Sequence, residues 1–161
     1  GSTRGPGQPL FLVSVLAPDH TGLTASEHPS LYWYVSGTAN APVEVTVTAP
    51  RAIKPLLQLQ LPAPVAAGIH RIRLQEHGVR LQPGIAYRWY VAVVTNANRR
   101  SKDVLAGGTI ERIELADELR SALAKAGPAH SAALLAQAGY WYDAVASLSE
   151  LIEAGPHDPG L

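Results

Sequence analysis

LQPGIAYRWYVAVV, residues 81–94, joins a turn signal to a long strand. Proline fixes φ and glycine accepts a positive one, so Pro83-Gly84 supplies the turn. Behind it Tyr87, Trp89, Val91 and Val93 alternate with Arg88, Tyr90, Ala92 and Val94. That is the period of a β-strand with one strongly apolar face and a second nearly so. A strand apolar on both faces sits in the middle of its sheet and is covered on its second side, so the rest of the chain is expected to wrap it.

Reading outward, upstream segments carry the same period. Gly68 to Gln75 places His70, Ile72 and Leu74 on one side and Arg71 and Arg73 on the other. Leu57, Leu59 and Leu61 alternate with Gln58 and Gln60 until Pro62 and Pro64 stop the run, as in an edge strand. Val43, Val45 and Val47 alternate with Glu44, Thr46 and Thr48, a half-buried strand. Leu31 to Val35 turns Leu31, Trp33 and Val35 to one face and Tyr32 and Tyr34 to the other, with Trp33 expected in the core. Leu10 to Leu16 is a first strand, stopped by Ala17-Pro18. Between these last two, Asp19 to Pro29 reads as a polar surface loop.

Downstream, Thr95 to Ser101 is turn-like and Gly107-Gly108 opens a final strand to Leu115. Ile110 and Ile113 do not share a parity, which a bulge near the glycines would reconcile. From Ala116 the apolar period changes from 2 to 3.6. Leu115, Leu119, Ala122, Leu123 and Ala126 share one helical face, and Gly127-Pro128 stops that helix. A second helix is expected from about Ala129 to Ala138. A third carries the stripe Ala144, Val145, Leu148, Leu151 and Ile152 and stops at Gly155-Pro156.

Strands at this spacing followed by helices predict a mainly β protein with a C-terminal α part: a seven-stranded antiparallel β-sandwich, then about three helices. Residues 1–8, rich in Gly, Ser, Pro and Gln, are expected to be loose. The sandwich takes 9–115, a helical part packed on it 116–155, and a tail 156–161. The Gly-Ser start and the absence of methionine read as the scar of a processed or replaced beginning, so a removed leader is expected.

Composition narrows the function. Apolar residues at 47% and charged ones at 16% argue a folded chain rather than a disordered one. Thirteen Lys and Arg balance thirteen Asp and Glu, so no net field attracts phosphate backbones, and nucleic acid is not an expected partner. No cysteine is present, which removes disulfides and thiolate chemistry. The longest apolar run, Leu10 to Ala17, falls well short of the roughly 20 residues that span a bilayer.

Several groupings bear on chemistry. Asp19, His20, Glu27 and His28 share one loop, a composition that suits zinc or copper, yet their spacing matches no metal motif and they are expected to be solvent-exposed loop polars. His70 and His77 flank one strand, with His70 expected as a hydrogen-bonded, partly buried histidine. Gly-x-Ser-x-Gly, His-Glu-x-x-His and Gly-x-x-x-x-Gly-Lys are all absent. No catalytic residue, metal site or cofactor is therefore assigned. Arg100 and Asp103 are expected to pair across a turn in a structural role. The aromatic set Tyr32, Tyr34, Tyr90, Tyr140, Trp141 and Tyr142, with Arg88, is either an exposed interaction surface or the seam between sandwich and helices.

Pro83-Gly84, Tyr87, Trp89 and Val91, together with Trp33 after Pro29, resemble fibronectin type III and related sandwiches. In those folds a tyrosine at the position of Tyr87 caps a corner by bonding its hydroxyl to upstream backbone. Gly139, Trp141, Ala144 and Pro156 lie at the spacing of one tetratricopeptide repeat, covering Ala132 to Pro156. Since such arrays need about three repeats for a continuous core, this hairpin must lean on something else.

The order of the whole chain resembles the bacterial domain-of-unknown-function family 928. The residues that carry this are Pro29, Leu31-Tyr32-Trp33-Tyr34-Val35, Leu61-Pro62, Tyr87-Arg88-Trp89, Arg100-Ser101, Asp103 and Gly139-Tyr140-Trp141-Tyr142-Asp143-Ala144. The chain departs from the family in lacking cysteine and in ending soon after Pro159, where members often continue into another apolar segment. The resemblance implies an exported, periplasmic or extracellular protein and implies no reaction. The function expected is that of a non-catalytic envelope or extracellular interaction module, its partner another envelope protein or a second copy. A small-ligand or carbohydrate-binding module using the tyrosines and Arg88 comes next, and an uncharacterised hydrolase third.

Overall fold

The computed structural model describes residues 12–100 and 103–154. In chain order the elements are β1 (Val13–Val15), β2 (Gly22–Thr24), β3 (Ser30–Val35), β4 (Val43–Thr48), β5 (Leu57–Leu61), β6 (Gly68–Arg73), β7 (Ala86–Val93), β8 (Val104–Arg112), α1 (Asp117–Lys125), α2 (Pro128–Gln137) and α3 (Trp141–Ala154). A 3-10 turn, Leu74–His77, follows β6. The strands form a three-stranded sheet, β1-β3-β6, and a five-stranded sheet, β2-β8-β7-β4-β5. The strand read from residues 81–94 is the middle one of the larger sheet.

The apolar face of β7 fills the space between the sheets. Trp89, Val91 and Val93 are fully buried beside Val43, Val45 and Val47 of β4, Leu31, Trp33 and Val35 of β3, and Ile110 of β8. Replacing one of these tryptophans by alanine costs about 3–5 kcal/mol through lost burial and the cavity left behind. Covering of the second face of β7 is uneven. Ala92 and Val94 are buried, Tyr90 is half-buried and Arg88 is exposed.

The architecture is the expected β-sandwich followed by three helices, with four local differences. Eight strands are found among the described residues rather than seven. The extra one, β2, lies inside the segment read as a polar loop and pairs in parallel with β8, Gly22 opposite Ile110 and Thr24 opposite Arg112. Three residues are too few to show a period. Second, β8 runs through both glycines rather than opening at them, and its register with β7 is continuous from Val93–Val104 to Ala86–Glu111, so no bulge is needed. The parity conflict vanishes because the strand ends at Arg112. Ile113 then donates its N–H to the Thr24 carbonyl. Third, β6 stops at Arg73; Leu74 reaches the core from the 3-10 turn, which ends at Gly78 with φ 67°. Fourth, the described first strand is Val13–Val15; Leu10 and Phe11 lie outside the described residues, as do 1–8, Ser101 and the tail 156–161.

The helices begin where sequence chemistry allows. Gly127 precedes α2 and Pro128 takes its first position, where the missing N–H is not needed. Gly139, at φ 90°, turns the chain between α2 and α3 and lends its carbonyl to the Leu23 N–H of β2. No helix among the described residues is long and apolar enough to cross a membrane. One residue of α3 reaches the sandwich core itself: Tyr142 is 1% exposed and belongs to the same cluster as Trp89 and Trp33.

Candidate functional site

The entry of Tyr142 depends on missing side chains. A Cβ at Gly22 would stand 2.6 Å from the Tyr142 ring, and one at Gly108 would meet Ala17, Trp89 Nε1 and the Tyr142 hydroxyl at 2.8–3.2 Å. The tyrosine therefore occupies a slot that two strand glycines leave open. Inside it, Trp89 Nε1 donates to the Tyr142 hydroxyl, which donates to the Thr109 carbonyl, each at 3.0 Å. Burial pushes the phenol up to about 12, against a smaller opposing effect of the indole bond.

Asp143, the next residue, fastens the start of α3 to β2. Its carboxylate accepts from the Thr24 hydroxyl at 2.6 Å and from the Ala25 N–H at 2.7 Å. Burial raises its pKa, and these two bonds oppose the rise. Tyr140 is buried on the other side of the junction. Its hydroxyl donates to the Glu114 carbonyl at 2.8 Å, and burial followed by nearby Asp143 raises its pKa.

The aromatic set thus divides. Tyr32, Tyr140 and Tyr142 are buried, whereas Tyr34 and Trp141 are 41% and 37% exposed and Tyr90 is half-buried. Trp141 is anchored by its indole N–H, which donates to the Leu16 carbonyl at 2.9 Å. Tyr32, first, and Glu153 hold the Arg71 guanidinium above its ordinary pKa, and Arg71 donates to Glu153 at 2.9 Å. These contacts tie the outer side of the three-stranded sheet to the end of α3.

Between that sheet and the helices lies a groove of about 880 Å³, lined by Leu16, Tyr32 and residues 69–71 on one side and by α2 and α3 on the other. Alanines 129, 132, 133 and 136 supply the α2 side; Trp141, Ala144, Val145, Leu148, Ser149, Ile152 and Glu153 supply the α3 side. Ile69, Leu148 and Ile152 are 65%, 49% and 69% exposed, so large apolar side chains face solvent here. An isolated exposed leucine means little, but several lining one concavity mark a docking place.

Arg88 and Tyr90 lie elsewhere, in a second cavity of about 540 Å³ with Asp19, His20, Leu105, Gly107, Gly108 and Thr109. The four residues expected as solvent-exposed loop polars are divided by β2: Asp19 and His20 are exposed, whereas Glu27 and His28 are half-buried. Asp19 and His20 face this second cavity, whereas Glu27 accepts from Arg80 Nε at 2.8 Å and His28 Nδ1 donates to the Val79 carbonyl at 2.9 Å. Among the described residues no three His, Asp or Glu side chains gather as metal ligands.

The remaining residues singled out from sequence take these places. His70 is half-buried, stacks on Trp33 with ring centroids 5.5 Å apart, and donates from Nε2 to the Ala66 carbonyl at 2.7 Å. His77 is exposed in the 3-10 turn. Trp33 is buried with its indole nitrogen unbonded. The Tyr87 hydroxyl accepts from the Gln82 N–H at 2.9 Å, fixing the turn that precedes β7. Arg100 pairs with Asp103 and also with Glu44 of β4, both at 2.9 Å, and these bonds, Glu44 first, raise its pKa.

Sequence reasoning named Asp143 only within the family resemblance and gave it no role, missed Gly22, and saw Gly107-Gly108 only as a boundary. Two adjacent glycines inside an apolar strand are a signal of close approach. Asp143 gave no comparable signal, since an acidic residue in a first helical turn is ordinary.

No curated protein matches the chain. The chain matches the sequence family Domain of Unknown Function (DUF928) over residues 1–161, and it belongs to that family.

Proposed function

We infer that this protein is a non-catalytic interaction module of the envelope or extracellular space, and that it docks a helix of another protein in the groove between the three-stranded sheet and α3. The observation that carries this reading is the apolar row along that groove, exposed at Trp141, Leu148 and Ile152 and half-buried at Val145. Its 4-3-4 spacing is the seam spacing of helices packed side by side. A hairpin similar to one tetratricopeptide repeat leaves such a face open where an array would place the next helix.

The helix α3 carries Asp143, Glu150 and Glu153 and no Lys or Arg. Asp143 is taken up by Thr24 and Ala25, which leaves Glu150 and Glu153 exposed; the α3 of a second copy offers them no complementary charge, which favours a different protein whose apolar helix is flanked by basic residues. Placement in the envelope rests on the resemblance to exported family members.

The test compares the intact protein with a Leu148→Glu, Ile152→Glu variant as bait in an envelope extract, after circular dichroism shows both folded. Both side chains are exposed, so the fold tolerates the change. Retention of a defined partner by the wild type and its loss from the variant supports the reading; equal retention by both refutes it. Light scattering decides whether a second copy occupies the groove instead.

A further inference from the structure

We propose that the second cavity, beside β8 and away from the apolar groove, binds an acidic saccharide, a pyranose bearing a carboxylate. At about 540 Å³ it lies within the roughly 300–1,000 Å³ typical of small-ligand sites. Its lining combines an aromatic ring, a cation, an acid, a histidine and a hydroxyl, the groups that recognise a ring with one apolar face and an equatorial rim of hydroxyls.

Tyr90 is the platform. A Cβ at Gly107 would stand 2.8 Å from the edge of the Tyr90 ring and 2.9 Å from the Trp89 carbonyl, so the ring is seated on bare backbone and held in position. Held aromatics give contact area with little loss of side-chain freedom. Arg88, two residues earlier on the same face of β7, is exposed and makes no side-chain hydrogen bond or ion pair among the described residues. Arg71, which lines the apolar groove, is by contrast paired with Glu153. A free guanidinium beside a ring offers a two-bond grip to a carboxylate.

Asp19, His20 and Thr109 complete the lining. His20 Nδ1 donates to the Thr21 carbonyl at 3.1 Å, which leaves Nε2 of the neutral ring as an acceptor for a sugar hydroxyl. Asp19 accepts two more. Its charge also disfavours a phosphate dianion beside Arg88, so a monoanionic carboxylate fits better.

Calorimetric titration of the intact protein with trigalacturonate and with its methyl ester tests this. The expected result is saturable binding of the acid, at least tenfold weaker binding to Arg88→Gln, and a weak affinity for the ester that is the same in both proteins. Arg88 supports no other side chain, so this variant folds. Absence of saturable binding by the acid overturns the proposal, as does an affinity unchanged in Arg88→Gln or an ester bound as tightly as the acid by the wild type.

Discussion

The hydroxyl of Tyr142 in α3 accepts the indole N–H of Trp89 in β7 at 3.0 Å, inside the core of the sandwich. The helical part thereby supplies a side chain to a core that strands alone leave with an unpaired donor. Tyr142→Phe keeps the ring and removes the hydroxyl, leaving the Trp89 N–H and one lone pair of Thr109 without partners. We predict a loss of about 1–3 kcal/mol in urea unfolding. The same variant gives a pH signature. A phenol at 10.0 in the unfolded chain and about 12 in the fold binds its proton more tightly when folded. Stability is therefore lost as pH rises from 10 to 12, and Tyr142→Phe flattens that part of the profile.

Gly22 and Tyr142 are coupled by space. Gly22→Ala places a methyl group 2.6 Å from the tyrosine ring and destabilises the protein. In a Tyr142→Ala background the ring is gone and the added methyl meets less. A double-mutant cycle on unfolding free energy is predicted to show Gly22→Ala costing less there than in the wild type. Equal costs would mean the slot does not confine the ring.

Asp143 sets a second pH dependence, opposite in sign to that of most paired carboxylates. Its folded pKa is raised above 3.8 by burial, although the start of a helix and two donors favour its charge. The fold binds this proton more tightly than the unfolded chain does. The stability difference between wild type and Asp143→Asn is therefore predicted to fall as pH rises above 3.8. A difference that grows with pH would mean that the two donors outweigh burial.

Much of this was legible beforehand, and the limits have physical causes. Alternation over six to eight residues gave β3, β4 and β7, and the prolines after Leu61 placed β5 at an edge, where it lies. A three-residue strand such as β2 has no period to read. The aromatic set showed that a seam or a surface existed, but helix phase alone did not say that Tyr140 and Tyr142 turn inward while Trp141 faces the groove. That choice is made by glycines 80 and more residues away from each other in sequence, Gly22 and Gly108, which open the slot only after β2 and β8 pair.

If Tyr142 and Asp143 join the parts as described, sandwich and helices unfold together. In a Trp141→Phe background, tryptophan fluorescence reports on buried Trp33 and Trp89 of the sandwich, and it and helical ellipticity are predicted to give coincident urea transitions. An earlier loss of ellipticity would show that the helical part opens on its own.

The most direct test of the docking account is a photoreactive residue in place of Leu148, activated in the protein's native setting, with the adduct mapped by mass spectrometry. Docking in the groove gives crosslinking to an apolar helical segment of one other protein, abolished when Ile152→Glu is added. No adduct, or an adduct indifferent to Ile152→Glu, would contradict it.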